Sequence, residues 1–321
     1  MIFMAFLRRK LIHFLLIGLM VSAITFAMVD ALPGDAAQVF TGPEATPEAI
    51  AAVRQEMGLD APVIVRYGRW IGRVATGDLG VSMVTREPIW DALTARLPVT
   101  LELLLLAQIM ALFLAVPAAM VSAGKPGGTV DQVLTTMAFA SISLPSFVTA
   151  ILLVFLFVLR LEWLPATGFV PLSEGLPANL RSLLLPGLSI ALVEWVILFR
   201  VLRNDLIATL GEDFILLARS KGLSSARVLF RHALPPSSLN LLTVVGLQMG
   251  HLIGGALVVE MIFALPGIGR LLVTAIYSRD VLMIQGCVLW ITLGYVTINL
   301  VVDVLYAMLD PRIRPEGAAH V

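Results

Sequence analysis

The stretch "LLLLAQIMALFLAVPAAMVSAG", residues 103–124, contains no Asp, Glu, Lys or Arg. A bilayer hydrocarbon core takes about 20 apolar residues of a single helix, so this run is long enough to cross one. The same test picks out residues 11–29, 132–159, 232–259 and 281–302, and a further run, 182–199, that is broken only by Glu194. Each predicts a helix, because backbone N–H and C=O groups in lipid must find their partners within the segment. The fold class expected is therefore all-α integral membrane, with six transmembrane helices.

The composition agrees. Hydrophobic residues make up 59% of the 321 and charged residues only 14%, with a mean hydropathy of +0.94, which is outside the range of soluble domains. The formal net charge is zero, so the overall balance indicates no nucleic-acid or acidic partner. The single cysteine, Cys287, sits in an apolar run and has no second cysteine to pair with; it reads as a small buried hydrophobe.

Cations near the span ends set the orientation. With the N-terminus in the cytoplasm, twelve Lys and Arg fall inside and four, Arg160, Arg181, Arg270 and Arg279, fall on short outside loops. Both termini are then cytoplasmic. The first run could be a cleavable leader after "FLRRK", but it is longer than the usual apolar core of one and no small-x-small site precedes "DALPGD". It reads as an uncleaved anchor. The expected organisation is an anchor helix over 1–32, an extracytoplasmic segment over 33–97, and a five-helix core over 98–321 that includes a cytoplasmic loop, 206–236.

The outside segment contains helix signals. "TPEAIAAVRQEMGL" offers Thr46 as N-cap, Pro47 in the first turn and Gly58 as a stop. Farther on, Val63, Tyr67, Trp70, Ile71 and Val74 fall at helical spacing, which predicts an amphipathic helix against membrane lipid. "FALPGIGRLLVTAIYSRD" predicts a turn at Pro266-Gly267 and then a short helix.

The cytoplasmic loop reads as an elbow. Glu212 and Asp213 begin a helix whose far end holds Arg219 and Lys221, each end complementing the macrodipole. Gly222 stands where a left-handed residue stops a helix. Ser224 is placed to cap a second arm, with Leu223 stapling onto Val228, and Pro235-Pro236 is expected to end the unit. A plain positive-inside loop would need none of this punctuation. Phe214, Ile215, Leu217, Val228 and Leu229 give the elbow apolar faces beside its cations, a combination that suggests a bound protein partner.

"ARSKGLSSARVLFRHALPPS" resembles the EAA-type cytoplasmic loop of ABC-importer permeases of the dipeptide, oligopeptide and nickel type. It keeps Ala218, Gly222, Leu234 and Pro235 of that pattern, and departs from it at Leu216, Leu217 and His232. "LPGD" (32–35), "TGDLGVS" (76–82), "RLPVTLELLL" (96–105), "VVEMIFALPGIGRLL" (258–272) and "NLVVDVLYAMLDPRIR" (299–314) extend the resemblance over nearly the whole chain. It implies a multi-pass permease of a bacterial inner membrane, working with a second permease subunit, two cytoplasmic ATPase subunits and an extracytoplasmic substrate-binding protein. It also implies that Ala218, Arg219, Lys221, Gly222, Leu223, Leu234 and Pro235 belong to the segment that couples to the ATPase, and that the cargo is a short peptide or, as in other members of that type, nickel or another small solute.

No G-x-x-x-x-G-K-[ST] cradle for phosphates occurs in the sequence; "AGKPGG" has the order wrong. ATP would accordingly be bound by a partner, and this chain is expected to hold no cofactor and no metal, its four histidines being scattered. Two other functions are open to a six-span protein. An intramembrane serine protease could draw on Ser189 and His251, although Ile190 follows the serine where an oxyanion hole needs room. A proton-coupled transporter would want a midplane carboxylate and repeat-related broken helices; Glu194 supplies the first, and no repeat accompanies it. Polar residues inside spans are functional candidates: Glu194, Gln248 and His251 as a substrate path, then Glu260 and Asp303 near span ends. Glu194 either attracts a substrate amine or pairs with Arg200 or Arg203.

Overall fold

The computed structural model describes residues 2–30, 36–42, 45–56 and 59–309. All regular structure among these residues is helical, apart from an isolated antiparallel bridge between Val81 and Pro88. In chain order the helices are α1 (Ile2–Asp30), α2 (Ala36–Thr41), α3 (Pro47–Glu56), α4 (Val63–Ala75), α5 (Ile89–Gly124), α6 (Thr129–Ile142) and α7 (Ser146–Val154). They continue with α8 (Leu176–Leu210), α9 (Asp213–Ser220), α10 (Ser225–Arg227), α11 (Leu234–Ile262), α12 (Ile268–Tyr277) and α13 (Val281–Leu309).

Among the described residues four helical segments are long and apolar enough to cross a bilayer: Ile89–Gly124, Leu176–Leu210, Ser225–Ile262 and Val281–Val302. A fifth crossing is made if Thr129–Ile142 and Ser146–Arg160 are taken together, but these two are bent by 98°. The continuous helix expected over 132–159 is thus corrected to a broken one. Pro145 explains the break: it has no N–H to donate, and its ring drives Leu144 away from the helical region. Neither half alone reaches the ~20 residues a crossing needs. Among the described residues α1 adds the apolar stretch Ile12–Met28.

The chain forms two compact units. One comprises the chain up to Thr100 together with Pro266–Thr297. Here α4 forms at the helical spacing expected, but its Tyr67 and Trp70 pack on α1, which corrects the expectation that this face lies against membrane lipid. The Tyr67 hydroxyl lies 2.9 Å from Ser22 Oγ and donates to the Leu19 carbonyl at 3.2 Å, and the Phe26 ring meets Tyr67 edge-on at 5.5 Å. Thr46 Oγ1 caps α3 by accepting from Ala49 N at 3.3 Å. The Asp280 carboxylate caps α13 by accepting from Met283 N at 3.2 Å, and also takes the Ser82 hydroxyl and the Met83 amide. It thereby pins the 82–83 loop to the start of the helix. Gly286 allows α13 to touch α5, since a Cβ there would fall 2.5 Å from Ile89 Cγ2.

The other unit comprises Leu101–Leu265 and the chain from Ile298 onward. Its core is a stripe of small residues on α5, Ala111, Ala115 and Ala119, packed with Phe199, Leu202 and Leu206 of α8 and Leu241 of α11. Small side chains recurring every fourth residue let backbones approach closely, the usual basis of helix association where lipid removes the hydrophobic driving force. Gly246 does the same on α11, where a Cβ would collide with Val302 of α13.

Candidate functional site

The elbow begins where α8 stops at its C-cap, Gly211, and α9 starts two residues later, at Asp213. Helix α9 ends in a Schellman motif: Leu223 N donates to Ala218 O at 3.4 Å and Gly222 N to Arg219 O at 2.9 Å. Gly222 has φ +78° and nothing within 4 Å of where a Cβ would lie. Its requirement is therefore one of backbone conformation and not of space. Ser224 then caps the next helix, accepting from Arg227 N at 3.4 Å.

Beyond that cap the structure differs from the expected short second arm. Pro235-Pro236 does not end the unit; the helix runs on from Ser225 to Ile262 and becomes the span itself. A π turn at Val228–Ala233 makes this possible. A proline in a regular helix loses a hydrogen bond and collides with the carbonyl four residues back. Here the widened turn, with Leu234 N donating to Leu229 O, delivers both prolines to the first turn of α11, where their missing donors cost little. The elbow is consequently one short helix, α9, joined through Gly222 to a rigid extension of a span.

The two faces of α9 are sharply different. Ile215 and Ala218 are buried, whereas Phe214, Leu216 and Leu217 are 48%, 55% and 56% exposed, and Arg219 and Lys221 are exposed beside them. Ala218 and Leu223 pack against the chain's own core and so anchor the elbow. Leu234 is half-buried in that same core, and Pro235 is exposed. An exposed apolar surface edged by cations is thus held at a fixed angle to α11.

The candidate substrate-path residues come together between α8 and α11. Gln248 Nε2 donates to the Glu194 carbonyl at 3.1 Å, and Glu194 lies within electrostatic reach of His251, one turn beyond Gln248. Gln248 Oε1 is buried without a partner among the described residues. The alternative pairing of Glu194 with a neighbouring arginine is corrected by the geometry. Arg203 binds Asp131 instead, and Arg200 lies over the Phe139 ring at 5.5 Å. Ser189, the residue a protease would need, is fully buried and donates its hydroxyl to the Pro186 carbonyl at 2.7 Å, so it is not presented to His251. Glu260 is fully buried near the end of α11. The side chain of Asp303 lies outside the described residues, as does Gly58.

A family model described as the binding-protein-dependent transport system inner membrane component matches residues 115–315, and a model of the N-terminal part of such components matches 3–104. The chain belongs to this family. Among its relatives, a protein of Brucella abortus (strain 2308) named as a peptide transport system permease is 40% identical over 92% of this chain and 94% of its own length. A glutathione transport system permease of Escherichia coli O6:H1 is 37% identical over the same shares. A dipeptide transport system permease of Alkalihalophilus pseudofirmus is 34% identical over 97% of this chain and 99% of its own. The protein is a multi-pass inner-membrane permease, a transport subunit and not an enzyme.

One feature of this permease escaped the sequence reading. Arg203 grips Asp131 through two hydrogen bonds of 2.7 Å, Nε to Oδ1 and Nη2 to Oδ2. Ser122 donates to the same carboxylate, and so does Gly127 N at 2.7 Å. The cluster ties the α5–α6 turn to α8 eight residues before Gly211, where the elbow begins. Its signal was present in the sequence: Asp131 is an acid immediately before a charge-free run, where a carboxylate needs a partner.

Proposed function

We propose that this permease forms half of the translocation pore of an ATP-driven importer of short peptides. It crosses the membrane six times, α1 and the bent α6–α7 pair supplying the two crossings beyond the four long helices, and both termini are cytoplasmic. Residues 1–32 anchor it, 33–97 lie outside, and 98–321 form the core with the coupling loop 206–236. A second permease completes the pore, two ATPase subunits bind the ATP, and an extracytoplasmic binding protein delivers the cargo; this chain holds no cofactor. The observation that carries the reading is α9, a helix whose apolar and basic outer face is left uncovered and whose angle is set by Gly222. On this reading Phe214, Leu216, Leu217, Arg219 and Lys221 meet the ATPase, while Ala218, Leu223, Leu234 and Pro235 hold the face in place. The peptide cargo is supported by the named activities of the relatives. Glu194, Gln248 and His251 line the path, where the Glu194 carboxylate suits a peptide's ammonium group.

The test is uptake of a labelled dipeptide by vesicles holding the whole system. The account predicts inhibition by vanadate, resistance to an uncoupler, and reduced uptake in Glu194→Gln with basal ATP hydrolysis retained. Uptake that collapses with the uncoupler and ignores vanadate would instead mean proton coupling. Unchanged uptake in Glu194→Gln would remove that residue from the path.

A further inference from the structure

Most buried polar side chains in the unit of Leu101–Leu265 are paired. Asn179 donates to Glu102 Oε2 at 2.8 Å and to the Val170 carbonyl at 2.9 Å. Ser237 and Thr209 share a hydrogen bond of 2.9 Å, Ser189 bonds the Pro186 carbonyl, and Ser122 bonds Asp131. Gln108 of α5 is different. It is 4% exposed, and neither its amide oxygen nor its amide nitrogen has a partner among the described residues. Gln248, by comparison, leaves its oxygen over but uses its nitrogen.

Its place in the helix makes this costly. Leu104, Gln108, Ala111 and Ala115 recur at steps of four, three and four residues, the spacing of one packed seam along a helix. Leu104, Ala111 and Ala115 are fully buried, and the two alanines belong to the core shared with α8 and α11. Gln108 lies about 24 Å from the Gly124 end of α5 at 1.5 Å per residue, well inside the hydrocarbon layer. An amide sealed there without a partner raises the free energy of this packing, whereas a methionine of similar length would fill the position without that penalty. A side chain that disfavours the packing around it favours leaving that packing. A permease must leave each of its packings in every transport cycle, and buried seams switch between discrete arrangements. We infer, resting on the importer reading, that the seam of Leu104, Gln108 and Ala111 opens to water during the cycle. In the open arrangement α5 is a wall of the path and the Gln108 amide is hydrated; the structure shows the seam closed.

The experiment uses the permease assembled with its partner subunits in vesicles. Ala111→Cys, in a chain whose native thiol is removed by Cys287→Ala, puts a thiol one turn from an intact Gln108, and a small water-soluble methanethiosulfonate is added. A thiol reacts as its thiolate, which burial suppresses. The expected result is slow reaction without nucleotide and reaction at least about tenfold faster while ATP and a dipeptide are turned over. Gln108→Met, which keeps the length and removes the amide, should raise the melting temperature of the resting complex by roughly 2–4 °C. It should also lower uptake per molecule at least about fivefold. Equal reactivity at position 111 in the two conditions overturns the inference, and so does unchanged uptake in Gln108→Met. A lowered melting temperature overturns it too, since the amide would then be satisfied in the resting packing. Vanadate-sensitive uptake by the wild type beside an unreactive Ala111→Cys rejects the opening seam and leaves the importer reading intact.

Discussion

At the scale of single residues, sequence shows a role wherever the partners are local. Gly222, Ser224 and Thr46 could each be assigned because a cap acts on N–H groups two to five positions away, within the reach of a motif. The Asp131–Arg203 pair could not, because its members are 72 positions apart and meet only when α6 packs on α8. Asp131 is 4% exposed, so removing Arg203 leaves its carboxylate without a counter-charge, held only by Ser122 and the Gly127 N–H. Arg203→Met should therefore destabilise the permease by about 3 kcal/mol, the lower range for breaking a buried pair. Asp131→Asn in the same chain, which removes the stranded charge, should recover part of the loss. Thermal melting of the purified complex checks both; a double variant less stable than Arg203→Met would show that the carboxylate has some other purpose.

Among elements, the spans themselves were legible, since a charge-free run of sufficient length has few alternatives to a helix. Their interruptions were less so. Pro145 breaks a run and Pro235-Pro236 does not, although the residues are of the same type. The difference lies in the preceding turn: the π turn at Val228–Ala233 brings the second pair to a helix start, while Leu144 precedes Pro145 with no such adjustment. The two faces of α9 permit a direct test of what the element is for. Ile215→Asp puts a charge into a fully buried position and should lower membrane abundance. Leu217→Asp changes an exposed one and should leave abundance intact while the ATPase subunits are lost on co-purification. Retention of those subunits by Leu217→Asp would place the contact elsewhere.

For the whole molecule, hydropathy and charge predicted the class and the multi-pass character, and the family confirms both. They could not show which helices pack together, because in lipid that depends on small residues such as Ala111, Ala115 and Gly246 whose contacts are distant in sequence. Sidedness follows from cation counts alone and can be measured. Thr129, Ser173 and Ser220 are all exposed, and the only native cysteine, Cys287, is fully buried, so labelling of introduced cysteines reports membrane side and not burial. An impermeant thiol reagent added to intact cells should modify Ser173→Cys and spare Thr129→Cys and Ser220→Cys. Modification at Ser220 from outside inverts the topology.

The central claim is that the Gly222 elbow transmits force between ATP hydrolysis and the spans. Its most direct measurement is uptake divided by membrane abundance in two variants of that one residue. Gly222→Val places a β-branched side chain in the left-handed region, whereas asparagine tolerates it; the Cβ of either has nothing within 4 Å. The account predicts normal abundance for both, uptake lost in Gly222→Val, and uptake largely kept in Gly222→Asn. Normal uptake per molecule in Gly222→Val would contradict it and leave the stretch as a positive-inside loop.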